Sequence, residues 1–552
     1  MDLPTEIWLH IMIYLSQWDL EPLMRVNRVL MNLVLDSRFR RAIAAPNSTG
    51  REGCFTNTDT YIHVHEGPPP VLHRVRELVF KDDAVHIDPR RKLEQQRATI
   101  SIWRRALNML LSIEEEEKKE DRDPTRQYFT RLLDRVDELS NVYAVTFHFN
   151  ATSDREALVK LRHPYLEYKF KIFRALLNNR SQISNITSLS LQSDLKLLLP
   201  HWPIDIVFPN LTKLTVKVAT NFTTANDSSL TKLFYPLVNN HRSSLVELVL
   251  THSPYLPLQH VLNGIKHLPK LELFSLCWFF HNTIPQQKAI DRFMQLHAAQ
   301  LVDLRLRLYP LSMRVVPFVP PKDRFPEDST ASAFNSCLAA SFGALKHFSL
   351  VFDSPVDGHA LTVFSFLQRH SEMLESLTIR PADLHCSASE DDVNFRMSVP
   401  LMQHFRWPDE DDVPPLVFPN LRCLSVYWKR MDVELMKFLV QSFPSLEYLC
   451  IHGLVALITQ EDTQHIRRSK HLTKLFQKWK LPHLVLENNS QPFDNVQRSN
   501  FVDIFSGVWR ICGRAPRKWA AGTVRKGDPI ELMRSSSSLE RLAGDYYSRG
   551  VY

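Results

Sequence analysis

Twenty-three histidines and seven cysteines put metal ligation and thiol chemistry first among the reactions to test for in this chain. In "HVHE" (His63–Glu66) the two imidazoles stand one residue apart, a spacing that turns both to one face of a strand. A zinc site needs three or four ligands, and no third follows at motif spacing. The cysteines, at 54, 277, 337, 386, 423, 450 and 512, form no C-x-x-C, so they suggest neither a zinc knuckle nor a disulfide framework. Buried free thiols in a reducing compartment account for them. H-E-x-x-H, G-x-S-x-G, G-x-G-x-x-G and G-K-[ST] are all missing, which removes support for the corresponding hydrolases and nucleotide binders. Only 13 glycines occur in 552 residues, about a third of the usual ~7%, so phosphate-cradling loops have little material. The expectation is a non-catalytic chain with no cofactor and no metal.

Charge recognition is the other chemistry available, and it depends on which elements hold the charges. A phrase recurs along the chain: apolar, two residues, apolar, two residues, apolar, one residue, apolar. Copies include "LHRVRELVF" (Leu72–Phe80), "LSNVYAVTF" (Leu139–Phe147), "FPNLTKLTV" (Phe208–Val216), "LPKLELFSL" (Leu268–Leu276), "FGALKHFSL" (Phe342–Leu350), "FPNLRCLSV" (Phe418–Val426) and "FPSLEYLCI" (Phe443–Ile451). Neighbouring copies end 25 to 35 residues apart, with gaps of 44, 47 and 67 where insertions sit. A period in this range is the signature of a solenoid. The closing x-Leu-x-Leu predicts a short strand with alternate residues inward. Segments such as "SLTKLFYPLVNNH", "QKAIDRFMQLHAAQ", "ALTVFSFLQRH" and "DVELMKFLVQSF" carry apolar residues at helical spacing between the strands.

With the leucines as core, function lies in the residues between them. Alternation places Lys213, Thr215 and Lys217 on the solvent face, with Asp303, Arg305 and Arg307, then Ser376, Thr378 and Arg380, and also His347, Tyr427, Tyr448 and His452. Arg305 and Arg380 are expected two strands apart, within roughly 10 Å, as a pair able to grip one carboxylate or phosphate. Self-pairing of Asp303 with Arg305 is the competing reading. Candidate target-binding residues are thus Lys213, Lys217, Arg305, Arg307, Arg380, Tyr427 and Tyr448.

Insertions at 84–123, 309–341 and 380–415 interrupt the array. The last is acidic, and Ser389 before Glu390-Asp391-Asp392 reads as either an acidic-directed phosphorylation site or a plain solvated loop. The basic tail "WRICGRAPRKWAAGTVRK" is too short and unpatterned for a nucleic-acid module. A net charge of +7 over this length permits acidic partners and demands none. Neither nucleic acid nor membrane is expected as a partner.

The run "LPTEIWLHIMIYL" (Leu3–Leu15) is apolar nearly all round as a helix and so requires burial nearly all round. It lacks a basic n-region and a cleavage site and is shorter than the roughly 18 residues of a membrane span. The expected location is intracellular, cytoplasmic or nuclear. More helix follows until "NSTGREG" near residue 46. A cysteine-free unit of about 40 residues is too small to stand alone and calls for a partner. Leu3-Pro4, Glu6-Ile7, Ile11, Leu15-Ser16, Asp19-Leu20, Leu23, Val26, Arg28, Leu33 and Ser37-Arg38-Phe39 resemble the F-box pattern, with Asn27 and Leu30 departing from it. The repeats resemble leucine-rich repeats from about 71 to 486, without most of that family's asparagines after the strand.

Together the resemblances imply an α/β chain with an N-terminal three-helix F-box (1–45), a linker (46–70) and an irregular leucine-rich-repeat solenoid (71–490). In that fold parallel strands carry helices on the convex side. Residues 491–552 form a C-terminal segment that reads as a degenerate capping repeat. They imply a substrate receptor of an SCF-type ubiquitin ligase. Leu3, Pro4, Ile7, Ile11, Leu15, Leu20, Leu23 and Val26 would meet a Skp-family adaptor and through it a cullin, and the array would hold a protein target. The alternative is an F-box scaffold or localisation protein without ubiquitin transfer.

Overall fold

Most described copies of the phrase fold in the same way. The backbone N–H groups of the two residues at the strand start both donate to one carbonyl of the preceding repeat. Thr212 and Lys213 donate to Thr187 O (2.9 and 3.0 Å), Val302 and Asp303 to Glu272 O (2.8 and 2.9 Å), and Glu375 and Ser376 to Lys346 O (2.8 and 3.0 Å). Among the described residues this fork sets the register at each strand start where it forms. A slip by one residue would turn each strand's leucines to the wrong face.

The computed structural model describes residues 32, 41–44, 60–61, 72–81, 129–130, 132–148, 166–178, 180–192, 195–202, 206–218, 230–252, 258–280, 284–310, 338–352, 357–381, 416–427, 433–452, 469, 483–487 and 511–514. The chain divides into two compact units, Met1–Ser244 and Leu245–Tyr552. In the first, strands β1 (Arg41–Ala44), β2 (Thr60–Tyr61), β3 (Glu77–Lys81), β4 (Ala144–His148), β5 (Ser188–Leu191) and β6 (Lys213–Val218) lie in the order β2-β1-β3-β4-β5-β6. In the second, β7 (Glu247–His252), β8 (Leu273–Phe280), β9 (Asp303–Pro310), β10 (His347–Phe352), β11 (Ser376–Pro381), β12 (Cys423–Tyr427), β13 (Tyr448–His452), β14 (His483–Glu487) and β15 (Ile511–Arg514) follow in chain order. The pairings within each unit are parallel.

Parallel neighbours require a crossover, and helices supply several: Ile284–His297 between β8 and β9, Asp357–His370 between β10 and β11, and Val433–Ser442 between β12 and β13. Each lays its apolar face on the inward strand residues. Phe293 meets Phe274 of β8 (ring centroids 4.6 Å apart), and Phe366 meets Phe348 of β10 (4.6 Å). In the first unit Phe147 of β4 packs against Phe170 and Phe173 of the Leu166–Asn178 helix (5.1 and 5.0 Å). The leucines of the phrase are buried throughout, as Leu211, Leu214, Leu304, Leu306, Leu421 and Leu449 illustrate. Each such side chain contributes roughly 1.5–3 kcal/mol.

The sheet reaches beyond the boundaries expected from the phrase alone. Arg41–Ala44, inside the segment assigned to the F-box, pairs with β3 through Arg41↔Glu77 to Ala44↔Phe80, and Thr60–Tyr61, inside the linker, pairs with β1. Arg74 ties the same region to the array by donating to Asn32 Oδ1 (2.8 Å) and Asn32 O (3.2 Å). Removing residues 1–45 would therefore expose the edge of β3. At the other end Ile511–Arg514 adds a strand past residue 490. Strands β9 and β11 run on to Pro310 and Pro381, slightly into two of the expected insertions. Proline offers no ladder N–H, which fits its place at the end of each. The F-box helices expected before residue 41 lie outside the described residues, Asn32 excepted.

Candidate partner-binding face

Parallel register aligns residues of successive strands into ranks, and alternation assigns each rank to the helix side or the opposite side. In the second unit, three ranks on the opposite side run across β9 to β11. The first holds Asp303, His347 and Ser376, the second Arg305, Ser349 and Thr378, and the third Arg307, Val351 and Arg380. Charge is sorted along the strands. The acids Glu247 and Asp303 stand at strand starts, and the cations Arg307 and Arg380 stand four residues further on, about 13 Å away.

Arg305 and Arg380 lie two strands apart, as expected, but two residues out of level. Arg305 is level with Thr378, and Arg380 is level with Arg307. Arg305 is also engaged by Asp303. Its Nε donates to both carboxylate oxygens (3.0 and 3.1 Å) and its Nη2 to Oδ2 (2.7 Å). The competing self-paired reading therefore holds for Arg305. Arg307, the other cation of β9, is exposed.

The remaining expected positions divide between the units. Lys213, exposed, and Lys217, half-buried, belong to β6 of the first unit. Tyr448 is half-buried in β13, and Tyr427 takes its place at the end of β12 by backbone register. Leu3, Pro4, Ile7, Ile11, Leu15, Leu20, Leu23 and Val26 lie outside the described residues.

Sequence reasoning missed the role of three histidines. His241, His297 and His370 end the helical segments that lead into β7, β9 and β11, every second strand. In each, Nδ1–H donates to the carbonyl four residues back, of Leu237, Phe293 and Phe366 (2.5, 2.8 and 2.7 Å). In each, Nε2 accepts the backbone N–H that opens the phrase, from Phe208, Leu268 and Phe342 (2.8, 3.1 and 3.0 Å). A carbonyl only accepts and an N–H only donates, so the tautomer is fixed as neutral Nδ1–H. Burial pushes all three pKa values down, against the opposing pull of the carbonyl, with His297 reaching about 4. The signal was in the sequence: His241, His297 and His370 each precede the second apolar residue of the phrase (Leu245, Leu301, Leu374) by four positions.

Asparagines do comparable work at the strand start. The side-chain amides of Asn141, Asn185 and Asn210 donate to carbonyls one repeat back, of His73, Ser140 and Ser184 (2.7, 3.1 and 2.8 Å), and Asn420 donates to Glu372 O (2.6 Å). These asparagines stand before the strand and not after it.

Burial, and secondarily Glu447, pushes the Cys423 thiol up to about 11, so it stays protonated at neutral pH and is no thiolate nucleophile. Among the described residues no three His, Cys, Asp or Glu side chains cluster as metal ligands, and no helix is long and apolar enough to cross a membrane. No protein-family model matches the chain, and no curated protein matches it.

Proposed function

We propose that this chain is a substrate-recognition subunit of an SCF-type ubiquitin ligase. Its first ~40 residues would dock on a Skp-family adaptor, and its leucine-rich-repeat-like array would hold a protein target. The observation that carries the reading is the order and spacing of Leu3-Pro4, Ile7, Ile11, Leu15, Leu20, Leu23 and Val26, ahead of a parallel sheet built from one repeated phrase. A sheet of this kind supports the receptor half of the reading because it offers ranks of polar side chains at fixed intervals of about 4.7–4.9 Å. The contribution to catalysis would be proximity, since the transfer chemistry belongs to other subunits.

The test is copurification with the adaptor. Replacing Leu3 and Pro4 together by alanine removes apolar contacts worth roughly 1.5–3 kcal/mol per side chain. The expected result is at least tenfold weaker adaptor binding by an otherwise folded chain. Normal copurification of that variant would end the F-box reading. Proteasome-dependent turnover of a captured protein separates a ligase receptor from a scaffold that does not transfer ubiquitin.

A further inference from the structure

We propose that His241, His297 and His370 are acid-operated clasps: protonating the imidazole frees the C-terminal end of its helix while the parallel strands stay paired. The proposal goes beyond the ligase reading and does not rest on it. Each clasp closes one strand and the helical segment after it. The side chain of His241 holds the Phe208 N–H ahead of β6, that of His297 the Leu268 N–H ahead of β8, and that of His370 the Phe342 N–H ahead of β10. The main-chain carbonyl of the same histidine accepts from the turn into the next strand, at Ser244 N (3.0 Å), Leu301 N (3.2 Å) and Leu374 N (3.1 Å). One residue thus ties a helix end both backward and forward. An imidazolium carries two N–H groups and no acceptor. Held against the N–H of the phrase it sets donor against donor, and the backward tie is lost.

Three observations confine the change to the helix ends. The first is burial: His241, His297 and His370 are 2%, 0% and 1% exposed, so a charge on the ring has no water. The second is charge. Among the described residues no carboxylate acts on the three rings. The charged or titratable neighbours are His267, stacked on His297 with centroids 5.5 Å apart, and Arg369, which precedes His370 and donates to the Leu338 and Ala339 carbonyls. Both oppose a further positive charge, so an imidazolium is relieved only by leaving its place. The third observation is that the strands are held without the clasps. Strand β6 keeps its ladder to β5, β8 its ladders to β7 and β9, and β10 its ladders to β9 and β11, with main-chain forks to Thr187 O, Val246 O and Val302 O. Phe418 provides the contrast, because its N–H donates to the Ser442 main-chain carbonyl (2.8 Å), which does not titrate. A lifted helix end bares Phe293 and Phe366, whose ring centroids lie 4.4 Å from those of His297 and His370.

The experiment is amide hydrogen exchange of the full chain at pH 7 and pH 5, each rate divided by the intrinsic rate at that pH, which reads local opening. For His297, 6.5 in the open chain against about 4 in the closed clasp raises the opening equilibrium about thirtyfold at pH 5. Protection over residues 288–300 should fall by about that factor, and protection over 360–373 should fall in the same direction. Strand residues 304–308 and 348–352, and the helix end at 436–445 that leads to Ser442, should change less than about twofold. H297Q, whose amide does not titrate, should abolish the acid response over 288–300 and leave it over 360–373. If H297Q does not fold, the wild-type contrast between 360–373 and 436–445 decides on its own. A uniform loss of protection through strands and helices means global unfolding and overturns the proposal. So does an equal response at the Ser442 helix end, or no response over 288–300.

Discussion

Phe342 and Phe418 open the same phrase in two repeats of the second unit, yet their backbone N–H groups are met differently. Phe342 donates to Nε2 of His370, 28 residues on (3.0 Å), whereas Phe418 donates directly to the main-chain carbonyl of Ser442 (2.8 Å). His370 closes a helix of 14 residues and Ser442 one of 10. With the shorter helix the last carbonyl itself reaches the phrase, and no side chain has to span the gap. The Ser442 hydroxyl is left buried without a hydrogen-bond partner. One backbone donor must be satisfied in every repeat. How it is satisfied decides whether the adjoining side chain is indispensable.

The comparison breaks most visibly by substitution. His297→Ala removes the acceptor for the buried Leu268 N–H and leaves a void beside Phe293, whose ring centroid is 4.4 Å from the imidazole. An unsatisfied buried donor and a cavity together cost about 4 kcal/mol. Urea unfolding should register that as a lowered midpoint. Ser442→Ala removes an unpaired hydroxyl and keeps the carbonyl, so its midpoint should move by less than about 0.5 kcal/mol, in either direction. Equal losses from the two substitutions would show that the side chain matters in both joints, contrary to the geometry.

Protonation is a second way to open only the histidine joints. A charged imidazole has no acceptor nitrogen, so it cannot keep both bonds. The folded pKa values are depressed, chiefly by burial, and His297 falls from 6.5 to about 4. Below pH 6.5 the unfolded chain binds protons that the folded chain refuses. Stability is therefore fully present above about pH 6.5 and is lost as pH falls toward about 4. For His297 that amounts to about 3 kcal/mol, with His241 and His370 adding in the same direction. Denaturant midpoints between pH 7 and 4 in the wild type and in H297N measure it. H297N should show a shallower decline, and parallel curves would remove His297 as the source.

Strand positions were legible because Leu-x-Leu is both the local pattern and the burial pattern; Leu304, Leu306, Leu377 and Ile379 are all inward. Those leucines also fix the level of their neighbours. Once Leu306 is level with Leu350 and Ile379, Arg307 must be level with Val351 and Arg380. Alternation alone gives the face of Arg305 and Arg380 but not their level, which depends on this register. The strand Arg41–Ala44 was hidden for a different reason. "RAIA" is four residues without the phrase, and what makes it a strand is β3 beside it, 36 positions later. The histidines bond donors 28 to 33 residues away, a distance at which no local propensity operates.

The smallest effect concerns the asparagines. Asn420 reaches back to Glu372 O (2.6 Å) at an exposed strand start, and the equivalent position of the preceding phrase copies is Ala344 and then Met373. Neither side chain has an amide, and both repeats still form the backbone fork, at Lys346 and at Glu375. The fork therefore sets the register, and the amide adds a tie on top of it. An exposed hydrogen bond exchanges with water at little net gain, about 0.5–1 kcal/mol. Asn420→Ala should lower the urea midpoint by that amount with an unchanged denaturant dependence, since the surface exposed on unfolding is the same. A loss above about 2 kcal/mol, or a changed slope, would mean that the amide and not the fork holds β12 in register.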